Sequence, residues 1–304
     1  MKAVRLYEYG SADNLKYEEN VPDPEIADDE VLVSAAASSI NPVDWKMRSG
    51  EAKERFPVTF PGILGRDVSG VVRAVGSNVR GVAVGDRVMA LTTATYAELV
   101  AVKAAEVNHV PEGVSITDAA ALPLIILTGE QLIREACELK PGQSVLVTGA
   151  LGSVGRAAVH TAKKMGAHVI AGVRKAQLDA AKGLGVDVVA LDDKDSIEKL
   201  GKVDAIADTL GDKVTTPLLN HIREGGICGT VVTPPPDVTL HPELKLVRMR
   251  AHPDPAKVLE FTEDYRVGKF IVPIARRFTL QEAAEAQTFA EHGGAGGKVL
   301  LLML

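Results

Sequence analysis

The stretch Gln143–Lys175, QSVLVTGALGSVGRAAVHTAKKMGAHVIAGVRK, has the spacing best suited to chemistry. Gly149, Gly152 and Gly155 lie between a β-branched apolar run, Ser144–Thr148, and a segment that repeats Val154, Ala157, Ala158, Thr161, Ala162 and Met165 at helical spacing. The run predicts a buried strand opened by Pro141-Gly142, and the segment predicts a helix stopped by Gly166. His168–Val173 predicts a second strand, which completes one βαβ unit. A strand that enters a helix this abruptly leaves the first helical N–H groups unpaired, and the helix macrodipole adds partial positive charge there. A pyrophosphate fits such a turn, with Gly152 allowing close approach of the backbone and Gly155 close packing of helix on strand. Ala150 stands where the commonest fingerprint has its first glycine, so the spacing is GxxGxxG. The alternative is an ordinary strand-to-helix turn.

The tip of the second strand bears on which dinucleotide is bound. An NAD site carries Asp or Glu about 20 residues beyond the glycines, to hold the ribose 2′-OH. Here the tip reads Ala171-Gly172-Val173-Arg174-Lys175, with no carboxylate. A small residue followed by two cations predicts a pocket for a 2′-phosphate, where a guanidinium binds in forked geometry. Gly172, Arg174 and Lys175 therefore point to NADPH; as an alternative, the two cations begin a solvated helix.

These residues need a frame. From about Asp118 onward, strands and helices alternate: a helical stretch Asp118–Cys137 interrupted by Pro123 and Gly129, a helix Ala176–Leu184, and strands Val186–Ala190 and Val203–Thr209. A helix Thr215–Arg223, strands Gly226–Val232 and Leu244–Met249, and a closing helix Pro255–Val267 follow. This alternation predicts a doubly wound parallel sheet. The preceding residues are β-rich, with strands expected at Met1–Tyr7, Glu30–Ala37, Val68–Val75, Asp86–Leu91 and Tyr96–Val102, which suggests a small barrel or folded sheet. The tail, with strands Ile271–Ala275 and Lys298–Leu302 around an Ala-rich helix, returns to that style and is expected to complete the first domain.

Composition sets the bounds. With 304 residues, 46% hydrophobic and 24% charged, the chain has room for two domains. A net charge of −6 gives no reason to expect nucleic-acid or anionic-membrane partners. Two cysteines make neither a disulfide framework nor a zinc cluster, and the N-terminus MKAVRLYEYG lacks the apolar core of a signal peptide. No apolar run is expected to span a bilayer, and the expected compartment is cytoplasmic.

Several stretches, in shared order, resemble the medium-chain dehydrogenase/reductases, and among them the zinc-independent quinone oxidoreductases, the zeta-crystallin-like group. They are SINPVDWKMRSG from Ser39, PGILGRDVSGV from Pro61, VGDRV from Val84, Leu122-Pro-Leu with Thr128, the GALGSVG turn, and Gly297-Lys298-Val299. The resemblance implies an α/β protein in which a GroES-like β-rich catalytic domain, residues 1–117 and 269–304, is split around a Rossmann NADPH-binding domain, residues 118–268. The active site would lie in the cleft between them. The resemblance also implies a homodimer through the sheet edge near Leu244–Met249.

Zinc members of that family ligate a metal at the positions held here by Asn41 and Arg66, and neither side chain suits zinc. No metal site is expected. Without a Lewis acid, oxidation of an alcohol lacks a means to stabilise its alkoxide, whereas quinones and α,β-unsaturated carbonyls accept hydride readily. The expected reaction is therefore reduction of a quinone or related activated carbonyl by NADPH. Alternatives are reduction of an alkenal or enone C=C bond, and a catalytically idle NADPH-binding regulatory protein.

Carried over position by position, the resemblance implies that Asn41 lies near the nicotinamide and donates its amide to the substrate oxygen, or else merely turns the chain before Pro42. Thr128 would contact the cofactor or cap a helix, and Gly149, Gly152, Ser153, Val154 and Gly155 would hold the pyrophosphate. Thr209, Leu210, Thr230 and Val231 end sheet strands, where open α/β sheets bind ligands. Lys298 would anchor the cofactor, brace the domains or lie solvated. Trp45 stands where many relatives have a nearby tyrosine; it would stack on a flat acceptor or belong to the core.

Overall fold

The computed structural model describes residues 1–303. The chain forms two compact units, Met1–Leu124 with Pro253 to the C-terminus, and Ile125–His252. Sequence placed these limits at 117/118 and 268/269. Residues 118–124 go with the first unit because Asp118 accepts from Arg277 Nη2 at 2.6 Å and Leu124 N–H donates to Asp67 Oδ1 at 2.7 Å. Helix Pro255–Arg266 also belongs there, burying Val258, Phe261 and Thr262, with the Phe261 ring edge-on to Phe270 at 5.2 Å.

In the second unit six parallel strands run in the order Asp187–Ala190, His168–Val173, Ser144–Thr148, Val203–Asp208, Ile222–Thr230, Lys245–Arg248. Chain order reverses between Ser144–Thr148 and Val203–Asp208, the switch point where open α/β sheets bind ligands. Apolar side chains cover both faces: Val145, Val147, Ala158, Val169 and Ala205 in one cluster, and Leu146, Val189, Ile206 and Leu218 in the other. That is why these strands read as continuous apolar runs.

The first unit is built on a seven-stranded sheet. Ile274–Thr279, Lys298–Leu302, Glu30–Ile40, Asp67–Val75, Arg87–Leu91 and Val107–His109 lie side by side, and Leu99–Lys103 also pairs with Glu30–Ile40. A three-stranded sheet joins Leu15–Glu18, Ala3–Leu6 and Gly62–Ile63. Register decides what meets at one end of the larger sheet. Val299 pairs with Ile40 and Val68 with Ser38. The start of the C-terminal strand and the start of Asp67–Val75 therefore flank the end of the central strand, next to Asn41.

Some expectations are corrected. The strand expected at Ile271–Ala275 lies at Ile274–Thr279, because Pro273 cannot donate to a ladder and pairing begins at Ile274 opposite Lys298. The helix expected at Thr215–Arg223 is two short pieces, Asp212–Thr215 and a 3-10 turn Thr216–His221, with Pro217 at their junction. The strand that follows consequently starts early, at Ile222. The 21-residue helical stretch Ile116–Ala136 is long and apolar enough by composition to cross a bilayer, contrary to expectation. It is mostly buried inside the protein, as a core helix is.

Candidate cofactor and acceptor sites

In the second unit the turn Gly149–Gly155 has the geometry its glycines require. Gly149 adopts φ +66°, and a Cβ there would lie 2.6 Å from Thr209 Oγ1. A Cβ on Gly155 would lie 2.2 Å from the Gly149 carbonyl oxygen, so even alanine would push the helix off the strand. The helix Ser153–Lys164 starts at Gly152, whose missing side chain cannot cap it, and its first backbone bond is donated by Arg156 to Gly152 O at 2.8 Å. The N–H groups of Ser153, Val154 and Gly155 are therefore left to an external acceptor. Three open amides at the positive end of a twelve-residue helix fit a pyrophosphate.

Thr128 lies one residue from Gly129, which packs so closely that a Cβ would sit 2.6 Å from Val154 O. This close crossing places Thr128, half-buried within helix Pro123–Gln131, beside the first turn of Ser153–Lys164. Its position inside the helix removes the capping alternative. Thr209, Leu210, Thr230 and Val231 gather at the carboxyl ends of neighbouring strands around Asp208, which the sequence reading did not single out. Asp208 is fully buried. Its Oδ1 accepts from Leu210 N at 3.0 Å, Gly211 N at 2.9 Å, Thr148 Oγ1 at 3.2 Å and Thr215 Oγ1 at 2.5 Å, and its Oδ2 from Thr230 Oγ1 at 2.6 Å. An acid ending the apolar strand Val203–Asp208, followed by Thr-x-Gly, was the available signal.

The tip of strand His168–Val173 holds more charge than its own residues suggest. Gly172 faces Leu191, and a Cβ would meet that side chain at 2.9 Å. Lys175 N–H donates to Asp192 Oδ1 at 2.6 Å and its ammonium pairs with Asp193 at 2.5 Å. Hydrogen bonding to Asp193 holds the Lys175 pKa above its ordinary value. Two carboxylates thus reach this tip from the next loop, which no reading of residues 171–175 could show. Arg174 is exposed, and its Nε lies 3.3 Å from Gln177 Oε1, leaving its guanidinium at the surface.

In the first unit Asn41 is 3% exposed, at the start of helix Pro42–Ser49. Its Nδ2 donates to Asp67 Oδ2 at 2.9 Å and lies 3.2 Å from Ser39 Oγ and 3.4 Å from Ser39 O, while its Oδ1 accepts from Lys298 Nζ at 2.7 Å. The Asn41 amide is thus already engaged on two sides, where the three strand ends described above bring Asp67 and Lys298 to it. Lys298 is not solvated either. It is 4% exposed, gives a further bond to Ile40 O at 3.1 Å, and stands 3.9 Å from Asp67. Burial lowers its pKa, against the pull of Asp67 and Asp44.

Behind this group, Asp44 Oδ2 accepts from Asn41 N–H at 2.8 Å and from Tyr96 OH at 2.9 Å. Burial pushes Asp44 up to about 7. Trp45 is half-buried against the cluster containing Leu64, Tyr96 and Val299, which is the core alternative. At the position of the second metal ligand in zinc relatives, the Arg66 guanidinium lies over the Phe56 ring, 6.0 Å from its centroid.

A doubly wound six-stranded sheet with an open amide turn at its switch point, joined to a β-rich unit, defines a dinucleotide-binding oxidoreductase class. The chain matches the alcohol dehydrogenase GroES-like domain over residues 27–112 and the zinc-binding dehydrogenase family over residues 184–301. It is 33% identical over 320 residues to the chloroplastic NADPH-dependent alkenal/one oxidoreductase of Arabidopsis thaliana, across 99% of this chain and 79% of that protein. It is 30% identical over 326 residues to the quinone oxidoreductase of Homo sapiens, across 100% and 98%. The solved quinone oxidoreductase of Coxiella burnetii superposes with TM-score 0.89 at 28% identity, across 100% of this chain and 99% of that one. The chain belongs to the medium-chain dehydrogenase/reductase family, in its quinone oxidoreductase group, as its ordered motifs implied.

Proposed function

We propose that this protein reduces a quinone or related activated carbonyl acceptor with NADPH. The observation that carries the reading is the trio of unpartnered amides at Ser153, Val154 and Gly155, with the exposed Arg174 guanidinium in the same unit. When bound, NADPH supplies the hydride. The three amides would hold its pyrophosphate, Arg174 would take the 2′-phosphate, and Thr128 and the strand ends at Thr209 and Val231 would line the remaining contacts. In the first unit, Asn41 turns one N–H to the acceptor oxygen. The hydrogen that Asp67 does not take, with only Ser39 O at 3.4 Å near it, is the one available to the acceptor. Reduction of an enone C=C bond is the second reading, favoured by the similarity to an alkenal/one oxidoreductase.

Two measurements test this. Steady-state NADPH oxidation with 1,4-benzoquinone, 9,10-phenanthrenequinone and an enone series should show turnover with the quinones. Preference for the enones would select the second reading. Tight NADPH binding with no turnover on any of them would overturn both. Because Lys175 is already paired with Asp193, the 2′-phosphate falls to Arg174. Arg174→Ala should raise the KM for NADPH by about 10- to 100-fold, the scale of a charged hydrogen bond, and leave that for NADH nearly unchanged. Equal effects on both cofactors would remove Arg174 from the site.

A further inference from the structure

We propose that Lys298 is a positioning residue: together with Asp67 it clamps the Asn41 side chain in one amide orientation. The inference rests on the reading that Asn41 meets the acceptor, and it assigns Lys298 a role within the first unit instead of that of a cofactor anchor. The geometry is complementary at every atom. Lys298 Nζ, a donor only, meets Asn41 Oδ1 at 2.7 Å, and Asp67 Oδ2 takes Asn41 Nδ2 at 2.9 Å. Rotating the amide by half a turn would set its oxygen against the Asp67 oxygen and its NH2 against the lysine nitrogen, losing both bonds among side chains that are almost fully buried.

The two clamping residues are themselves held. Asp67 accepts Ser39 Oγ at 2.6 Å on Oδ2 and Leu124 N–H at 2.7 Å on Oδ1, and Lys298 gives a second bond to Ile40 O at 3.1 Å. Strand register delivers both, since Val299 pairs with Ile40 and Val68 with Ser38. The backbone side of the same residue is fixed by Asp44, which accepts Asn41 N–H at 2.8 Å. A lysine on Oδ1 also withdraws electron density from the amide and strengthens its N–H groups as donors. Lys298 thus sets both the direction and the donor strength of Asn41 without touching the acceptor.

The test is a double-mutant cycle with a readout independent of turnover. Lys298→Met should lower kcat at saturating NADPH by about 10- to 100-fold, the scale of a misplaced catalytic contact. The NADPH Kd, read by fluorescence titration, should be unchanged. In an Asn41→Ala background the same substitution should alter kcat by no more than about twofold. In 15N spectra the Asn41 side-chain NH2 pair, identified by its loss in Asn41→Ala, should exchange slowly with solvent in the native protein and fast in Lys298→Met. Should Lys298→Met fail to fold because Asp67 is left without its cation, the charge-balanced pair Asp67→Asn with Lys298→Met restores folding and should still show low kcat and fast exchange. A raised NADPH Kd with unchanged kcat would overturn the clamp and make Lys298 a cofactor anchor. Additive effects with Asn41→Ala, or an NH2 pair unaffected by Lys298→Met, would overturn it too. Absence of turnover in the native protein would sink the functional reading alone, and the exchange experiment would still decide the clamp.

Discussion

Asp208→Ala is expected to destabilise the nucleotide-binding unit by about 2–6 kcal/mol, the scale for leaving two buried backbone donors without an acceptor. Five donors converge on this carboxyl group: the N–H groups of Leu210 and Gly211 and the hydroxyls of Thr148, Thr215 and Thr230. Threonine hydroxyls can rotate toward other acceptors. Two backbone N–H groups cannot, and each one left dry costs about 1–3 kcal/mol. Alanine also leaves a hollow beneath the Thr209–Gly211 turn, which packs on Gly149. The melting temperature should fall by on the order of 10 °C, and NADPH affinity should fall with it because the strand ends at Thr209 and Thr230 lose their common anchor. Asp208→Asn keeps one acceptor oxygen and nearly the same volume, so its loss should be smaller. A melting temperature for Asp208→Ala within 2 °C of native, on an estimated scale of about 2–4 °C per kcal/mol, would show that the five bonds are replaceable.

Asp44→Asn should reshape the pH dependence of stability. Asp44 is fully buried, and burial is the largest influence on its carboxyl group, with Asp67 pushing in the same direction. The Asn41 backbone N–H, Tyr96 OH and Lys298 pull the other way, and the net result is a rise from 3.8 to about 7. Between those values the folded chain keeps a proton on Asp44 that the unfolded chain has released. Stability must therefore fall as pH rises through that window, by about 1.4 kcal/mol per pH unit and on the order of 4 kcal/mol in all. Asparagine does not titrate. Its oxygen can replace Oδ2 as acceptor for Asn41 N–H and Tyr96 OH, and its NH2 falls where Oδ1 has no partner. The variant should match the native protein near pH 4 and exceed it progressively up to pH 7.5, with a constant advantage above. Thermal unfolding at pH 4.5, 6 and 7.5 checks this, and parallel profiles for the two proteins would refute it.

Both residues lay outside what the sequence made visible, and the contrast with what was visible is physical. The βαβ unit could be read nearly residue by residue: strands Ser144–Thr148 and His168–Val173 have the expected limits, and the helix between them starts at Ser153. Each depends on local signals, an apolar run or an apolar repeat at helical spacing, punctuated by glycine. The order of motifs likewise carried the family. Errors came where one local signal had two outcomes, as at Pro217 and Pro273, where proline marked a break without saying on which side the element would continue.

The glycine turn, the two-part architecture and the positions of Asn41, Thr128, Arg174 and Lys298 were thus set by the chain's own residues. What those side chains face was decided in three dimensions. Asn41 is 26 residues from Asp67 and 257 from Lys298, and only the pairing of three strands brings their ends together. Lys175 looked like a free cation until the following strand returned Asp192 and Asp193 to its side. Side-chain partners across a sheet depend on register and strand order, which no spacing along the chain encodes. The tertiary structure alone therefore turned the amide of Asn41 inward onto Asp67 and Lys298.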